Sequence, residues 1–279
     1  MKSRTKILVP VDFSPTAERA FRFALRIGTL LTAEIHLLHA IYPQMENLDQ
    51  PLQPSASATL TRSHLVEEKL QLLIEAERER WKNGGWPEIF THVEIGNAIS
   101  VIKARIKAQA YDLIVIGTRA RHEAMENMLG TVASDVVGNT SCPVIVIPEQ
   151  TGDLPISRIA HAIEPRWVQE DMVSAVINRF RPLHAEVHLV RFSDLPADEP
   201  PRQLLALKTA LGDQFPQLPV KTHRLSKQDL IRDMNQFIER EKIDLLIMYR
   251  SASGILGRLF HRSRTRLMAR HTRIPLLVI

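Results

Sequence analysis

Residues 6–25 read KILVPVDFSPTAERAFRFAL, and residues 158–177 read RIAHAIEPRWVQEDMVSAVI. Laid over each other at an offset of 152, both show a short apolar run, a break at an acidic residue and a segment with helical spacing. The same offset aligns AEIHLLHA (33–40) with AEVHLVRF (185–192). An offset of 132 aligns YDLIVIG (111–117) with IDLLIMY (243–249), and NTSCPVIVI (139–147) with HTRIPLLVI (271–279). Self-similarity at fixed offsets is the signature of a duplicated unit. The first copy is 20 residues longer (152 − 132), and its YPQMENLDQPLQPSASATL (42–60), with Pro43, Pro51 and Pro54, reads as a surface loop. PEQTGDLP (148–155) has linker composition, so the domains are placed at 1–149 and 155–279.

Within a copy, strands alternate with helices. KILVPV is apolar on both faces, and Ser14 is placed to cap a following helix with Pro15 in its first turn. Ala17, Ala20, Phe21, Ala24, Gly28 and Leu31 keep the spacing of a buried helical stripe. EIHLLHAI, THVEI, DLIVIG and PVIVI read as further strands, with helices around 60–82, from Asn97 to about 109, and after Gly130. SHLVEEKLQLLIEAERERW (63–81) reads as an amphipathic covering helix. Strands apolar on both faces and separated by helices imply a parallel sheet covered on both sides. The expected fold is therefore α/β: two repeated five-stranded parallel-sheet α/β sandwiches of Rossmann-like type. Ligands in such folds sit beyond the carboxyl ends of the strands, where the strand order reverses.

Composition narrows the function less. The chain has 279 residues, a net charge of +5, 44% hydrophobic and 5% aromatic residues. That small basic excess without aromatic interleaving does not describe a nucleic-acid binder. A single cysteine, Cys142, excludes an internal disulfide framework and a multi-cysteine metal site. No apolar run reaches the length of a membrane span and the N-terminal stretch does not read as a signal peptide, so a cytoplasmic protein is expected. P-loop, Gly-x-Gly-x-x-Gly, Gly-x-Ser-x-Gly and His-Glu-x-x-His patterns are all absent. No catalytic residue is named, and no metal ligand: His36 and His188 occupy equivalent strands, where packing is the expected role.

One stretch does carry ligand chemistry. GTRARHEAMENMLGT (117–131) leaves a strand through Gly117 and returns at Gly130-Thr131 where a helix begins. A glycine at a strand end permits close approach to the backbone, and a Gly-Thr helix start offers N–H groups and a hydroxyl to an anion. Thr131 is also an ordinary helix cap, and Asp12 an ordinary cap of the turn after the first strand.

ILVPVDFS together with DLIVIGTRA, nine residues, and GTVASDVVGNTSCPVIVIP resembles the universal stress protein family, in a tandem two-domain form with an adenine nucleotide alpha hydrolase-like fold. The family's nucleotide pattern is Gly, two residues, Gly, nine residues, Gly, then Ser or Thr. Here it reads Gly117, Thr118-Arg119, Ala120, residues 121–129, Gly130, Thr131, with alanine for the middle glycine. The resemblance implies ATP, with or without Mg, in the first domain. Pro10, Val11 and Asp12 would lie against adenine, with Ala40 closing that side. Gly117 would be near the ribose, and Gly130, Thr131 and Val132 would hold the outer phosphates. A Cβ at Ala120 weakens such a site where the backbone needs a positive φ. Arg119 and Arg121 flank it.

The second copy departs from the pattern. Gly117 becomes Tyr249, Ala120 becomes Ala252, Gly130 becomes Arg262, Thr131 becomes Ser263 and Asp12 becomes Glu164. Its run from 249 to 279 carries Arg250, Arg258, Arg262, Arg264, Arg266, Arg270 and Arg273 and no acidic residue, a basic surface for an anion or partner or a solvated face. Two functions follow: a non-catalytic adenine-nucleotide module in stress response or signalling, or a nucleotide-free tandem scaffold. Slow hydrolysis at a family-like site stays open. The resemblance also implies an intramolecular pseudo-dimer through 143–147 and 275–279, since a bare apolar edge strand invites aggregation, and further self-association stays open.

Overall fold

A computed structural model describes residues 4–42, 56–82, 84–118, 131–152, 155–163, 170–193, 202–226, 229–250 and 273–279. The described residues divide into two compact units between Val144 and Ile145, and each copy of the repeat is described by itself. The first runs β1 (Lys6–Pro10), α1 (Pro15–Leu31), β2 (Glu34–Ile41), α2 (Ala56–Arg80), β3 (Ile89–Ile95), α3 (Ala98–Ala108), β4 (Leu113–Gly117), α4 (Thr131–Asn139) and β5 (Val144–Ile147). The second runs β6 (Arg158–Ala162), α5 (Glu170–Phe180), a 3-10 turn at Arg181–Leu183, β7 (Glu186–Phe192), α6 (Arg202–Gln214), β8 (Val220–Leu225), α7 (Leu230–Glu241), β9 (Leu245–Met248) and β10 (Leu276–Val278).

The strand orders are the same. Within the first copy it is β3-β2-β1-β4-β5 and within the second β8-β7-β6-β9-β10, with β1 pairing parallel to β2 and β4 and β6 pairing parallel to β7 and β9. This is the doubly wound arrangement, and its order reverses beside β1 and beside β6. Ile7, Leu8 and Val9 are fully buried, as are Leu113, Ile114, Val115 and all of β5. Burial on both faces is why these strands read as unbroken apolar runs.

The duplication extends to single hydrogen bonds. Asp112 Oδ2 accepts from the Lys6 N–H at 2.9 Å, and its counterpart Asp244 Oδ2 accepts from the Arg158 N–H at 2.9 Å. After α1 the chain turns through Thr32 at φ 51°, and in the second copy the equivalent turn uses His184 at φ 51°. The sequence position of each turn is fixed by where the helix must stop to enter the next strand, and a left-handed residue ends it.

Local signals placed the helices. Ser14 caps α1, its Oγ accepting from the Ala17 N–H at 3.2 Å with Pro15 next, and Asn97 caps α3, its Oδ1 accepting from the Ile99 N–H at 3.0 Å. Part of 42–60 differs from the expected loop: Ala56–Leu60 already belong to α2, while 43–55 lie outside the described residues. Val66 and Leu70 of α2 are buried, and so is Glu77 at 4% exposure. A carboxylate is tolerated there because Arg22 of α1 and Arg80 approach it to 3.7 Å and 3.3 Å.

Candidate functional site

The crevice of the first copy opens where β1 ends between β2 and β4. Pro10 closes β1 and stands level with Leu38, and the Val11 N–H continues the ladder by donating to Leu38 O at 2.8 Å. Asp12 follows as an exposed residue whose Oδ1 accepts from the Ser14 N–H at 3.0 Å and from the Ser14 hydroxyl. Ser14 in turn caps α1, so the Asp12 carboxylate is held by the same turn that starts the helix. Phe13 accepts φ 60° to make this turn. Its ring packs 4.9 Å from that of His39, which bonds Val11 O through Nδ1 at 2.8 Å, while the Lys69 ammonium of α2 lies 6.0 Å above the Phe13 ring. Ala40, next to His39, is half-buried near the end of β2.

Gly117 ends β4, and its bare backbone is needed by the protein itself. A Cβ there would stand 2.5 Å from the Thr16 carbonyl oxygen and 2.6 Å from its carbon. The first turn of α1 therefore sits directly on the end of β4. Glycine at 117 is a packing requirement whether or not a ligand binds beside it.

The structure thus brings Pro10, Val11, Asp12, Ala40 and Gly117 to the carboxyl ends of three adjoining strands. Val132 lies in the first turn of α4, which Thr131 begins. Ala120 and Gly130 lie outside the described residues, as do Arg119 and Arg121. In the second copy Glu164, Ala252, Arg258, Arg262, Ser263, Arg264, Arg266 and Arg270 also lie outside them.

Tyr249 changes the corresponding crevice of the second copy. Its ring packs 5.2 Å from that of His161, the residue aligned with Val9. Burial raises the Tyr249 phenol above its ordinary pKa, and holds the fully buried His161 at about 3, uncharged at neutral pH. A tyrosine side chain thus stands at the position where the first copy has the bare backbone of Gly117. The described part of α5 starts at Glu170, three residues beyond the position equivalent to Pro15 (15 + 152 = 167).

A second constellation joins the edge strand of each copy to its neighbour, away from the crevice. His36 Nδ1 of β2 is 2.9 Å from His92 Nε2 of β3, with the ring planes within 7°. The second copy repeats it: His188 Nδ1 of β7 is 2.9 Å from His223 Nε2 of β8, with planes within 6°. Single sequences gave His36 and His188 as equivalents but gave no sign of His92 and His223, whose offset of 131 differs from those of the flanking strands.

The pairs differ in their neighbours. Arg105 Nη2 lies 2.7 Å from His92 Nδ1 and 2.9 Å from its Nε2, and the same guanidinium reaches Glu94 at 3.2 Å. Arginine only donates, so the closer nitrogen, Nδ1, accepts, and Nε2 of neutral His92 carries the proton shared with His36. Burial, then Lys6 and Arg105, hold His36 down at about 4; burial, then Arg105 and His36, hold His92 at about 4. At the second pair, burial again lowers both histidines, but Glu186 and Glu241 pull His188 upward and Glu241 pulls His223 upward. Cys142 is buried and its thiol bonds Tyr111 O at 3.2 Å, a packing role.

These features define an α/β protein with a duplicated, doubly wound unit and a crevice at each reversal of strand order. The chain belongs to the universal stress protein family, whose model matches residues 3–148. It is 28% identical over 152 residues to Universal stress protein Rv2623 of Mycobacterium tuberculosis, covering 53% of this chain and 49% of that protein. It is 29% identical over 144 residues to Universal stress protein MJ0531 of Methanocaldococcus jannaschii, covering 51% of this chain and 81% of that one. The match spans about half the length of the first of these relatives. A universal stress protein from Archaeoglobus fulgidus shares the fold at TM-score 0.74 and 15% identity, covering 99% of this chain and 98% of its own. A second from Pseudomonas aeruginosa does so at TM-score 0.61 and 15% identity, with 99% and 93% covered. Among the described residues no helix is long and apolar enough to cross a membrane.

Proposed function

We propose that the first copy is a non-catalytic adenine-nucleotide module that binds ATP, with or without Mg, in a cytoplasmic stress or signalling protein. The observation that carries this reading is the meeting of Pro10, Val11, Asp12, Ala40 and Gly117 at the strand ends, followed by α4 at the Gly-x₂-Ala-x₉-Gly-Thr spacing. Ligands in open parallel sheets collect there because helix starts and strand ends present unpaired backbone groups together. The donor chemistry fits: Val11 is buried, Asp12 is exposed with its carboxylate held by Ser14, and the small side chain of Ala40 leaves room for a flat base. ATP supplies a polyanion for the α4 start, and magnesium reduces its charge.

The second copy has the nucleotide-free role in this reading, as a partner domain with a basic surface. Tyr249 stacked on His161 supports that assignment, because a side-chain ring stands at the strand end where the first copy has a bare glycine. The copies are further read as joined through 143–147 and 275–279, two apolar strands without a charge on either. Val146→Lys should then lower the melting temperature and solubility of the full chain; a variant that melts and dissolves like the parent sinks the pairing.

Isothermal titration of the full chain with Mg-ATP tests the nucleotide reading, with Thr131→Ala and Ala120→Gly alongside. Micromolar binding is expected, weakened by the first change and tightened about five- to thirtyfold by the second, the equivalent of roughly 1–2 kcal/mol of left-handed strain. Absence of heat together with an unmoved melting temperature gives the scaffold reading to both copies.

A further inference from the structure

The second histidine pair differs from the first by an exchange of charge. At the offset of 132, Arg105 corresponds to Phe237 and Gln109 to Glu241. Phe237 is fully buried with its ring 4.8 Å from that of His223, so no guanidinium reaches this imidazole from that position. In its stead the end of α7 brings a carboxylate: one donor atom each from His188, His223 and Glu241 lie within 4.8 Å of one another. The first copy satisfies its pair with a built-in cation. The second has lost that cation and gained an anion beside two neutral nitrogens.

We infer that His188, His223 and Glu241 form a binding site for a divalent transition ion of the zinc type. Two imidazoles and one carboxylate are a ligand set that such ions take, with water in the fourth position. His188 Nδ1 and His223 Nε2 face each other at 2.9 Å, and a small rotation of the rings turns both lone pairs toward the ion. The supporting shell is present. His188 is fully buried and among the described residues its Nε2 has no hydrogen-bond partner, yet the Glu186 carboxylate stands 3.6 Å away, itself held by Lys221 at 2.6 Å. A carboxylate behind the far nitrogen fixes the tautomer that leaves Nδ1 to the metal. Arg240, 3.0 Å from Glu241, and Arg158, 3.7 Å from Glu186, would lie just outside the ligands. His223 and Glu241 are half-buried, which leaves the ion a way in. Sequence reading did not assemble the site because its three ligands come from two strands and a helix end with no short-range spacing.

Equilibrium dialysis of the chelator-treated full chain against zinc chloride tests this. One bound equivalent is expected, falling in affinity at least about tenfold in His223→Asn and separately in Glu241→Gln, with His92→Asn unchanged. Cobalt(II) in place of zinc should give the visible absorption of a four-coordinate ion in the parent and lose it in both variants. The proposal is overturned if the folded parent takes up no stoichiometric zinc, if uptake survives both second-copy variants, or if it disappears in His92→Asn. Glu241→Gln alters a partly exposed side chain, so a failure of His223→Asn to fold leaves the test standing.

Discussion

The two copies of the repeat agree at their strand starts, their turns and their paired histidines, and differ at the end of the fourth strand and in the charges beside those histidines. Asp112 and Asp244 receive the same strand-start N–H, and Thr32 and His184 make the same left-handed turn. At the crevice, by contrast, Gly117 admits the first turn of α1 against β4, whereas Tyr249 occupies the equivalent place with a ring. At the histidine pairs the contrast is electrostatic, Arg105 in one copy against Phe237 and Glu241 in the other. Duplication has preserved a scaffold and separated the chemistry of its two ends.

The crevice half of this comparison is the easier to break. Gly117→Ala places a Cβ against the Thr16 carbonyl, where neither neighbour is a flexible side-chain end, so α1 and β4 must move apart. Overpacking of this kind costs about 3 kcal/mol, the upper part of its usual range. Urea unfolding should show that loss in the full chain. A loss below about 0.5 kcal/mol would mean that α1 shifts at no cost and that glycine at 117 answers to a ligand instead.

Much of the fold was legible because two signals agreed. Strands apolar on both faces named the parallel sheet, and matched offsets named the duplication without any assumption about pairing. The crevice was legible for the same reason, since the ends of apolar runs mark where β1, β2 and β4 stop. What stayed hidden depended on long-range approach. Glycine at 117 read as an invitation to a ligand, because nothing in DLIVIG shows that Thr16, about a hundred residues earlier, lies on it. Nothing in the amphipathic helix pattern of 63–81 marks Glu77 as buried, because the Arg22 that allows its burial belongs to another helix. His92 was not singled out, since the outer strand β3 has its own offset and its partner comes from the neighbouring strand.

The electrostatic half of the comparison gives a smaller effect, and its sign follows from proton linkage. His36 and His92 titrate near 4 in the folded chain against an ordinary value of 6.5, so between these limits the unfolded chain binds more protons. Their contribution to stability is complete above about pH 6.5 and is lost as the pH falls toward 4. For the buried His36 the loss by pH 5 is at most about 2 kcal/mol. His161, held near 3 by burial alone, adds an acid-sensitive group to the second copy that no arginine controls. Arg105→Met separates these causes. It removes a positive charge that disfavours protonation of both His36 and His92, so their pKa values rise and the variant loses less stability than the parent between pH 7 and pH 5. Histidine resonances followed by NMR across that range give the direct reading. Ring signals of His36 and His92 that already titrate near 6.5 in the parent would remove the charge contrast between the copies, because Arg105 would then not be holding its pair neutral.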